Sequence, residues 1–124
     1  MKKLAFVITT PPNSNLTATA INMVTAALKS DINVVGVFFY QDGVLNGSQH
    51  LALPNDEYQA HRQWQQLHHD YDIPLHLCAT AAEKRGLSDD INDGQAVTIH
   101  QAFTLSGLGE LVELNVNADR LIQL

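Results

Sequence analysis

The sequence predicts an α/β protein, a single three-layer domain in which helices cover both faces of a mostly parallel central sheet. Residues 4–8 and 32–40 are continuous apolar runs, which are typical of parallel strands buried on both faces. Apolar residues between the two runs recur at helical spacing, so strand, helix and strand follow one another as a βαβ unit. The chain has 124 residues, 45% of them hydrophobic, which suits one domain spanning residues 1–124.

The first helix is expected to begin after Ser14 or Asn15, because both side chains are good helix N-caps. A stripe of apolar residues should turn this helix towards the sheet. The stripe consists of Leu16, Ala20, Met23, Val24, Ala27 and Leu28.

A second helix is expected to begin at residues 54–57, where two carboxylates would face the positive end of the helix dipole. Tyr58, Trp64 and Leu67 are the predicted buried stripe of this helix. Residues 73–78 are the third predicted strand, with a proline near its beginning, where a missing N–H is tolerated.

The remaining elements are shorter. Residues 79–85 predict a brief helix, and Gly86 is a natural residue to end it. Residues 87–94 are polar and rich in turn formers, which indicates a mobile loop. A last helix over residues 108–116 and a last strand over residues 120–124 complete the predicted sheet.

Composition excludes several classes of function. The formal net charge is -6, from 7 Lys and Arg against 13 Asp and Glu, so direct nucleic-acid binding is disfavoured. The apolar start is shorter than the ~7–15 residues of a secretory signal, and nothing approaches the ~20 apolar residues of a membrane span. We therefore expect a cytoplasmic protein with no membrane contact. Its single cysteine excludes an intramolecular disulfide.

Cys78 is the candidate functional residue. Ligands of open α/β sheets collect outside the carboxyl ends of the strands, and Cys78 is expected where the third strand ends and a helix begins. Helix N–H groups at such a junction favour a thiolate and should lower the thiol pKa. A thiolate, or a persulfide anion built on it, is a competent sulfur nucleophile. The alternative is a small buried hydrophobic residue with no chemical role.

Other candidate motifs are weaker. Residues 9–15 are rich in hydroxyls but lack the glycines of a phosphate loop, which favours a capped turn. His61 and His68 are a heptad apart without a close partner, which favours a solvated helix face over a zinc site. Residues 89–94 fail the calcium-loop pattern, because Ile91 and His100 fall at ligand positions. We predict no metal and no organic cofactor.

Four segments carry a resemblance to a known family. They are residues 38–44, residues 64–67, the stretch from Leu77 to Gly86, and residues 103–111. In this order they resemble the DsrE/TusD family from the first strand to Leu124, and the family's strand-end cysteine maps onto Cys78. The resemblance implies the DsrE-like α/β fold and a sulfurtransferase that works by persulfide transfer through this cysteine.

The resemblance also implies partners. Cys78 would accept persulfide sulfur from a TusA-like donor and pass it to a TusE-like acceptor, for 2-thiolation of the wobble uridine of tRNA. The subunit would work in a complex with TusB-like and TusC-like chains. Three alternatives stay open: a DsrE-type carrier in dissimilatory sulfur oxidation, a non-catalytic scaffold subunit, and a flavodoxin-like nucleotide- or flavin-binding module.

Several neighbours of Cys78 receive expected roles. The backbone N–H groups of Ala79 and Thr80 are candidates for holding the anion. His76 precedes Cys78 by two residues and so shares its strand face, and His50 is a second candidate neighbour. Residues expected to shape the walls of the site or a subunit contact are Asp42, Gly43, Gly107 and Gly109.

An apolar patch is expected to remain on the surface of a domain this small. The domain is not expected to bury all of the following residues, and those left exposed would form the patch: Val37, Phe38, Phe39, Tyr40, Phe103, Leu105, Leu108 and Leu111. The alternative is that every one of them lies in the core of the monomer. Such a patch would serve as a subunit interface, so we expect self-association or binding to homologous chains.

Overall fold

The computed structural model describes residues 2–89 and 98–124, which build one five-stranded sheet and the helices around it. The strands are β1 (Lys3–Ile8), β2 (Asn33–Phe39), β3 (Leu75–Cys78), β4 (Thr104–Ser106) and β5 (Arg120–Gln123). They lie in the order β4-β3-β2-β1-β5. Each neighbouring pair in this order is parallel, so the predicted mostly parallel sheet is confirmed.

Four α-helices and one 3₁₀ helix connect the strands within the described ranges. The α-helices are α1 (Asn15–Lys29), α2 (Ala60–Tyr71), α3 (Ala79–Lys84) and α4 (Leu108–Asn117), and the 3₁₀ helix spans Gln41–Gly47. The sequence identified the α-helices but not the 3₁₀ helix.

The two faces of β2 show how the layers are arranged. Phe39 meets Trp64 of α2 edge to face, with ring centroids 5.1 Å apart, and α2 packs beside α1. Gly36 points to the opposite face, since it is an odd number of positions from Phe39. A Cβ at Gly36 would lie only 2.8 Å from Cδ2 of Leu114 in α4. Helices therefore cover both faces of the sheet, and the predicted three-layer α/β fold is confirmed.

The first helix has the expected N-cap, but the face that it buries differs from the predicted one. Ser14 is its N-cap and accepts the Leu16 N–H at 3.2 Å. The exposed fractions of Leu16 and Met23 are 52% and 38%, so their predicted burial is wrong. Thr17 is buried instead, because its hydroxyl donates to the Pro11 carbonyl at 2.7 Å and so needs no water. The other buried residues of the helix are Ala20, Ile21, Val24 and Ala27.

The second helix begins at Ala60 rather than at the acidic segment. The Gln59 side chain donates to the carbonyl of Pro54 at 2.8 Å and to that of Glu57 at 3.2 Å, and these bonds hold a turn ahead of the helix. Tyr58 lies in this turn and is 44% exposed, which corrects the predicted stripe. Trp64 and Leu67 are buried as predicted.

The end of α3 follows its sequence signal. Gly86 has a positive φ of 76°, and its N–H donates to the Glu83 carbonyl at 3.1 Å. The Leu87 N–H returns to the Ala82 carbonyl at 3.0 Å, which completes a Schellman motif. Most of the loop predicted over residues 87–94 lies outside the described residues.

Candidate active site

Cys78 occupies the position that the sequence predicts for it. It is the last residue of β3 and the N-cap of α3, in a strand flanked by β2 and β4. Its exposed fraction is 3%, and its side chain makes no capping hydrogen bond. The thiol thus lies at the carboxyl edge of the sheet, largely shielded from water.

A cavity of about 280 Å³ opens beside this cysteine. It is lined by Tyr40, Gln41, Cys78, Thr80, Ala81, Lys84, Arg85 and Leu108. These residues come from the end of β2, from α3 and from the start of α4, so three connections meet around the sulfur. A space of this size lies just below the range of small-molecule pockets, so it has room for the end of a side chain that carries a sulfur atom.

Two cations line the cavity. The Nε and Nη2 atoms of Arg85 each lie 3.0 Å from Oδ1 of Asp42, and Nη1 donates to the Ala81 carbonyl at 3.0 Å. Arg85 thereby ties the 3₁₀ helix to α3. Lys84 makes no ion pair within residues 2–89 and 98–124. Because the Asp42 carboxylate offsets the charge of Arg85, the net positive charge of this rim comes from Lys84, and it attracts anionic groups towards Cys78.

His76 belongs to a group of polar side chains on the same edge of the sheet. Its Nδ1 lies 2.8 Å from Oγ of Ser106 in β4, and its Nε2 lies 3.6 Å from Oε1 of Glu110 in α4. Burial lowers the pKa of His76, while the Glu110 carboxylate acts in the opposite direction. The imidazole is therefore neutral at neutral pH, when it can accept a proton.

Sequence reasoning missed two residues of this group of polar side chains. His76 was recognised because it shares the strand face of Cys78, but Ser106 and Glu110 were not singled out. A usable signal existed in the segment resembling the DsrE/TusD family, since residues 103–111 include both of them.

The other residues that were expected near Cys78 differ in where they lie relative to the cavity. Asp42 does not itself line the cavity, but its carboxylate holds Arg85, which does. Gly43 forms no wall: it is buried, and a Cβ there would overlap the Ile8 carbonyl oxygen. Gly107 and Gly109 are exposed, with open space where a Cβ would stand, so neither forms a wall within this chain. His50 is exposed and does not line the cavity.

The anion-holding roles expected of the Ala79 and Thr80 N–H groups remain predictions. Both residues lie in the first turn of α3, and Thr80 lines the cavity.

Two histidines of α2, His61 and His68, form a second cluster with His100. His61 is 4% exposed, so the expected solvated face is wrong at this position, and its Nδ1 has no hydrogen-bond partner among the described residues. Nδ1 of His68 lies 2.8 Å from the Ile73 carbonyl oxygen, and Nδ1 of His100 accepts the Ala102 N–H at 3.0 Å. No group of three or more His, Cys, Asp or Glu side chains is arranged to hold a metal ion in residues 2–89 and 98–124.

Acidification below about pH 6.5 is expected to destabilise the protein through this cluster. Burial is the main cause of the lowered pKa of His61, and the positive charges of Arg62 and His100 add to it. Burial and His68 likewise lower the pKa of His100. The unfolded chain then binds protons that the folded protein does not, so the free energy of unfolding falls as the pH drops through the ordinary histidine pKa.

Urea unfolding at about pH 7.5 and about pH 5.5 measures this loss of stability. We expect His61→Gln to reduce the difference between the two values. His69→Gln is the matched control, because the side chain of His69 is 83% exposed, and it should leave the difference unchanged. Equal stability of the unmodified protein at the two pH values would contradict the prediction.

The fold and this site together define a class of protein: a small α/β protein with a parallel sheet, whose carboxyl edge holds a buried cysteine beside a cationic cavity. No helix of the described residues is long and apolar enough to cross a membrane. Comparison with known proteins narrows the class. The DsrE/DsrF-like family matches residues 2–124, and the chain belongs to this family.

Relatives with assigned names agree with this membership. The chain is 39% identical over 102 residues to "Sulfurtransferase TusD" of Klebsiella pneumoniae, covering 79% of this chain and 80% of that one. It is 36% identical over 99 residues to "Sulfurtransferase TusD homolog" of Haemophilus influenzae, covering 78% of this chain and 79% of the relative. The predicted family and the predicted class of activity, a sulfurtransferase, are confirmed by these matches.

A solved structure supports the fold independently. The ychN protein from E. coli superposes with a TM-score of 0.83 at 21% identity and covers 100% of both chains. At this identity the likeness concerns the fold alone.

Proposed function

We propose that this protein is a sulfur-relay sulfurtransferase in which Cys78 carries the transferred sulfur as a persulfide. The observation that carries the proposal is the place of Cys78, the single cysteine of the chain, at the wall of a cavity on the carboxyl edge. A scaffold subunit would need no thiol at this position. The names of the relatives supply the reaction class.

The chemistry is thiol exchange on sulfane sulfur. The Cys78 thiolate attacks the outer sulfur of a donor persulfide, so a new S–S bond forms while the donor's S–S bond breaks. The donor leaves as a thiolate, and Cys78 holds the sulfur. An acceptor thiolate then attacks the outer sulfur of this persulfide and releases the Cys78 thiolate. The two steps are balanced without any added oxidant or reductant.

The cavity suits the charges of these steps. The attacking group, the leaving group and the persulfide react as anions, and Lys84 and Arg85 line the space where these groups meet. Asp42 holds the guanidinium of Arg85 in place but offsets its charge, so Lys84 supplies the net positive charge at the cavity. The cavity has room for a cysteine side chain that reaches in from a partner.

We infer the partners from the family resemblance. A TusA-like protein donates the sulfur and a TusE-like protein accepts it in the cytoplasm, for 2-thiolation of the tRNA wobble uridine. Residues 1–124 act as one domain in a complex with TusB-like and TusC-like subunits. The net charge of -6 is consistent with a subunit that does not itself bind tRNA.

The surface for such subunits differs from the expected patch. Of the residues considered for this patch, Val37, Phe38, Phe39 and Phe103 lie in the core. Tyr40, Leu105 and Leu111 are half-buried. On α4, however, Leu108, Val112 and Val116 are 52%, 60% and 74% exposed and recur every four residues. This stripe begins at the cavity and is our candidate for the subunit contact, in hetero-oligomers or in self-association.

Persulfide loading tests the function directly. After incubation with glutathione persulfide, the intact mass of the protein should rise by one sulfur atom, and a reductant should reverse the gain. Cys78→Ser should show no gain, since this chain has no other cysteine. His69→Gln is a matched surface control that should load normally, because this side chain is 83% exposed. A mass gain in Cys78→Ser equal to that of the unmodified protein would refute the assignment of Cys78.

A further inference from the structure

Leu108 lines the cavity beside Cys78 from the start of α4, and little packing holds it there. It is more than half exposed, and a Cβ built on either flanking glycine, Gly107 or Gly109, would meet nothing within 4 Å. Strand β4 ends at Ser106, so strand pairing stops two residues before Leu108. The position of this side chain therefore depends on what fixes the first turn of α4.

His76 contacts the chain on both sides of Leu108. Its Nδ1 lies 2.8 Å from Oγ of Ser106, two residues before Leu108, and its Nε2 lies 3.6 Å from Oε1 of Glu110, two residues after it. A serine hydroxyl both donates and accepts, so the first contact is a hydrogen bond for either tautomer of the imidazole. With its proton on Nε2, the ring also attracts the carboxylate of Glu110. Because β3 is paired with a strand on each side, His76 is a firm anchor for both contacts.

We propose that His76 is a positioning residue that holds residues 106–110 against β3 and thereby fixes Leu108 as a wall of the cavity beside Cys78. This wall limits the width of any group that reaches the thiol, so a slender side chain enters more readily than a bulky one. The importance of this limit for sulfur transfer rests on the proposed function, whereas the limit itself does not.

The other walls do not depend on His76. Arg85 is held by the Asp42 carboxylate and by the Ala81 carbonyl. The remaining lining residues belong to α3, to Cys78 itself and to the segment at the end of β2. Loss of the imidazole should therefore displace one wall, that of Leu108, and leave the rest of the cavity as it is.

Two maleimides of different width test this role. N-methylmaleimide and N-phenylmaleimide carry the same neutral reactive group, so the ratio of their rates of addition to Cys78, followed by intact mass, reports the width available at the thiol. Urea-unfolded protein gives the ratio in the absence of a cavity, and we expect the phenyl-to-methyl ratio of the folded protein to be lower. His76→Ala and Leu108→Ala should each raise this ratio about threefold to tenfold, the range expected for the loss of one hydrogen bond.

Further variants show whether the effect passes through Leu108. The double variant His76→Ala/Leu108→Ala should match Leu108→Ala, because the imidazole then has no wall to hold. Ser106→Ala should raise the ratio, whereas Ser106→Thr, which keeps the hydroxyl, should not. Glu110→Ala changes a partly exposed side chain and should also raise the ratio. His69→Gln is the surface control and should leave the ratio unchanged.

Three results would overturn the positioning role. The first is a folded, unmodified protein with the same ratio as the unfolded chain, since the cavity would then not select by width. The second is an unchanged ratio in both His76→Ala and Glu110→Ala. The third is a double variant in which the effects of the two single variants multiply, because the imidazole would then act elsewhere than on Leu108.

The same measurements separate misfolding and the proposed function from this role. A variant that fails to fold reacts with both maleimides at the rates of the unfolded chain, and Glu110→Ala then decides the question in place of His76→Ala. An unchanged ratio with normal persulfide loading refutes only the positioning role. A raised ratio in His76→Ala, in a protein that cannot be loaded with persulfide, refutes only the proposed function.

Discussion

Gly43→Ala is expected to lower the free energy of unfolding by about 3 kcal/mol, because the new methyl group has no space. A Cβ at this position overlaps the carbonyl oxygen of Ile8 and lies 3.3 Å from the Cα of Thr9, both of them backbone atoms. That carbonyl cannot withdraw without cost, since it accepts the Tyr40 N–H at 2.9 Å. Urea unfolding followed by circular dichroism measures the loss.

Gly109→Ala is the matched control for this prediction. Gly109 lies in the first turn of α4, and nothing stands within 4 Å of its Cβ position. Alanine there should stabilise the protein by up to about 1 kcal/mol, through helix propensity alone. The two Gly→Ala changes therefore have opposite expected signs. If Gly43→Ala unfolded at the same urea concentration as the unmodified protein, the close approach to β1 would be refuted.

The parts of the fold that the sequence predicted are those encoded locally. Strands β1 and β2 are apolar on both faces, Ser14 is an intrinsic N-cap, and Gly86 supplies the positive φ that ends α3. Each of these signals depends on neighbours within a few residues. For that reason tertiary contacts do not override the structure that these signals predict.

The elements that escaped prediction depend on tertiary contacts. Strand β4 has only three residues, and its pairing with β3 is what orders it. The 3₁₀ helix is held by Asn46, whose buried amide donates to the carbonyls of Thr10 and Gly43 at 3.1 and 2.8 Å. No local sequence pattern predicts a hydrogen bond to a residue in another loop.

The candidate site divides in the same way. Cys78 could be placed from the change between strand and helix spacing at its own position. Ser106 and Glu110 reach His76, the neighbour of Cys78 on β3, only because β4 lies next to β3 and α4 covers that face, which a linear pattern does not specify. Similarly, the periodicity of α2 could not show that His61 is buried, because the burial of a helix face depends on what packs against it.

Trp64→Ala is expected to lower the free energy of unfolding by about 3 to 5 kcal/mol. Trp64 is fully buried and meets Phe39 edge to face at 5.1 Å, and Phe39 meets Phe103 in turn at 5.4 Å. Removing the indole therefore leaves a cavity in an aromatic cluster that joins α2, β2 and the segment before β4. Urea unfolding should be followed by circular dichroism, because Trp64 is the single tryptophan.

Trp64→Phe separates the loss of volume from the loss of the indole N–H. That N–H finds no hydrogen-bond partner among the described residues, so deleting it removes a desolvation cost, while a phenyl ring still reaches Phe39. We expect a loss below about 2 kcal/mol. A loss as large as that of the alanine variant would contradict this expectation.

The cluster also bears on the site, since Phe39 is the register partner of Leu77, the residue before Cys78. Trp64→Ala should therefore loosen the packing behind the thiol and speed its alkylation, whereas Trp64→Phe should leave that rate near its original value.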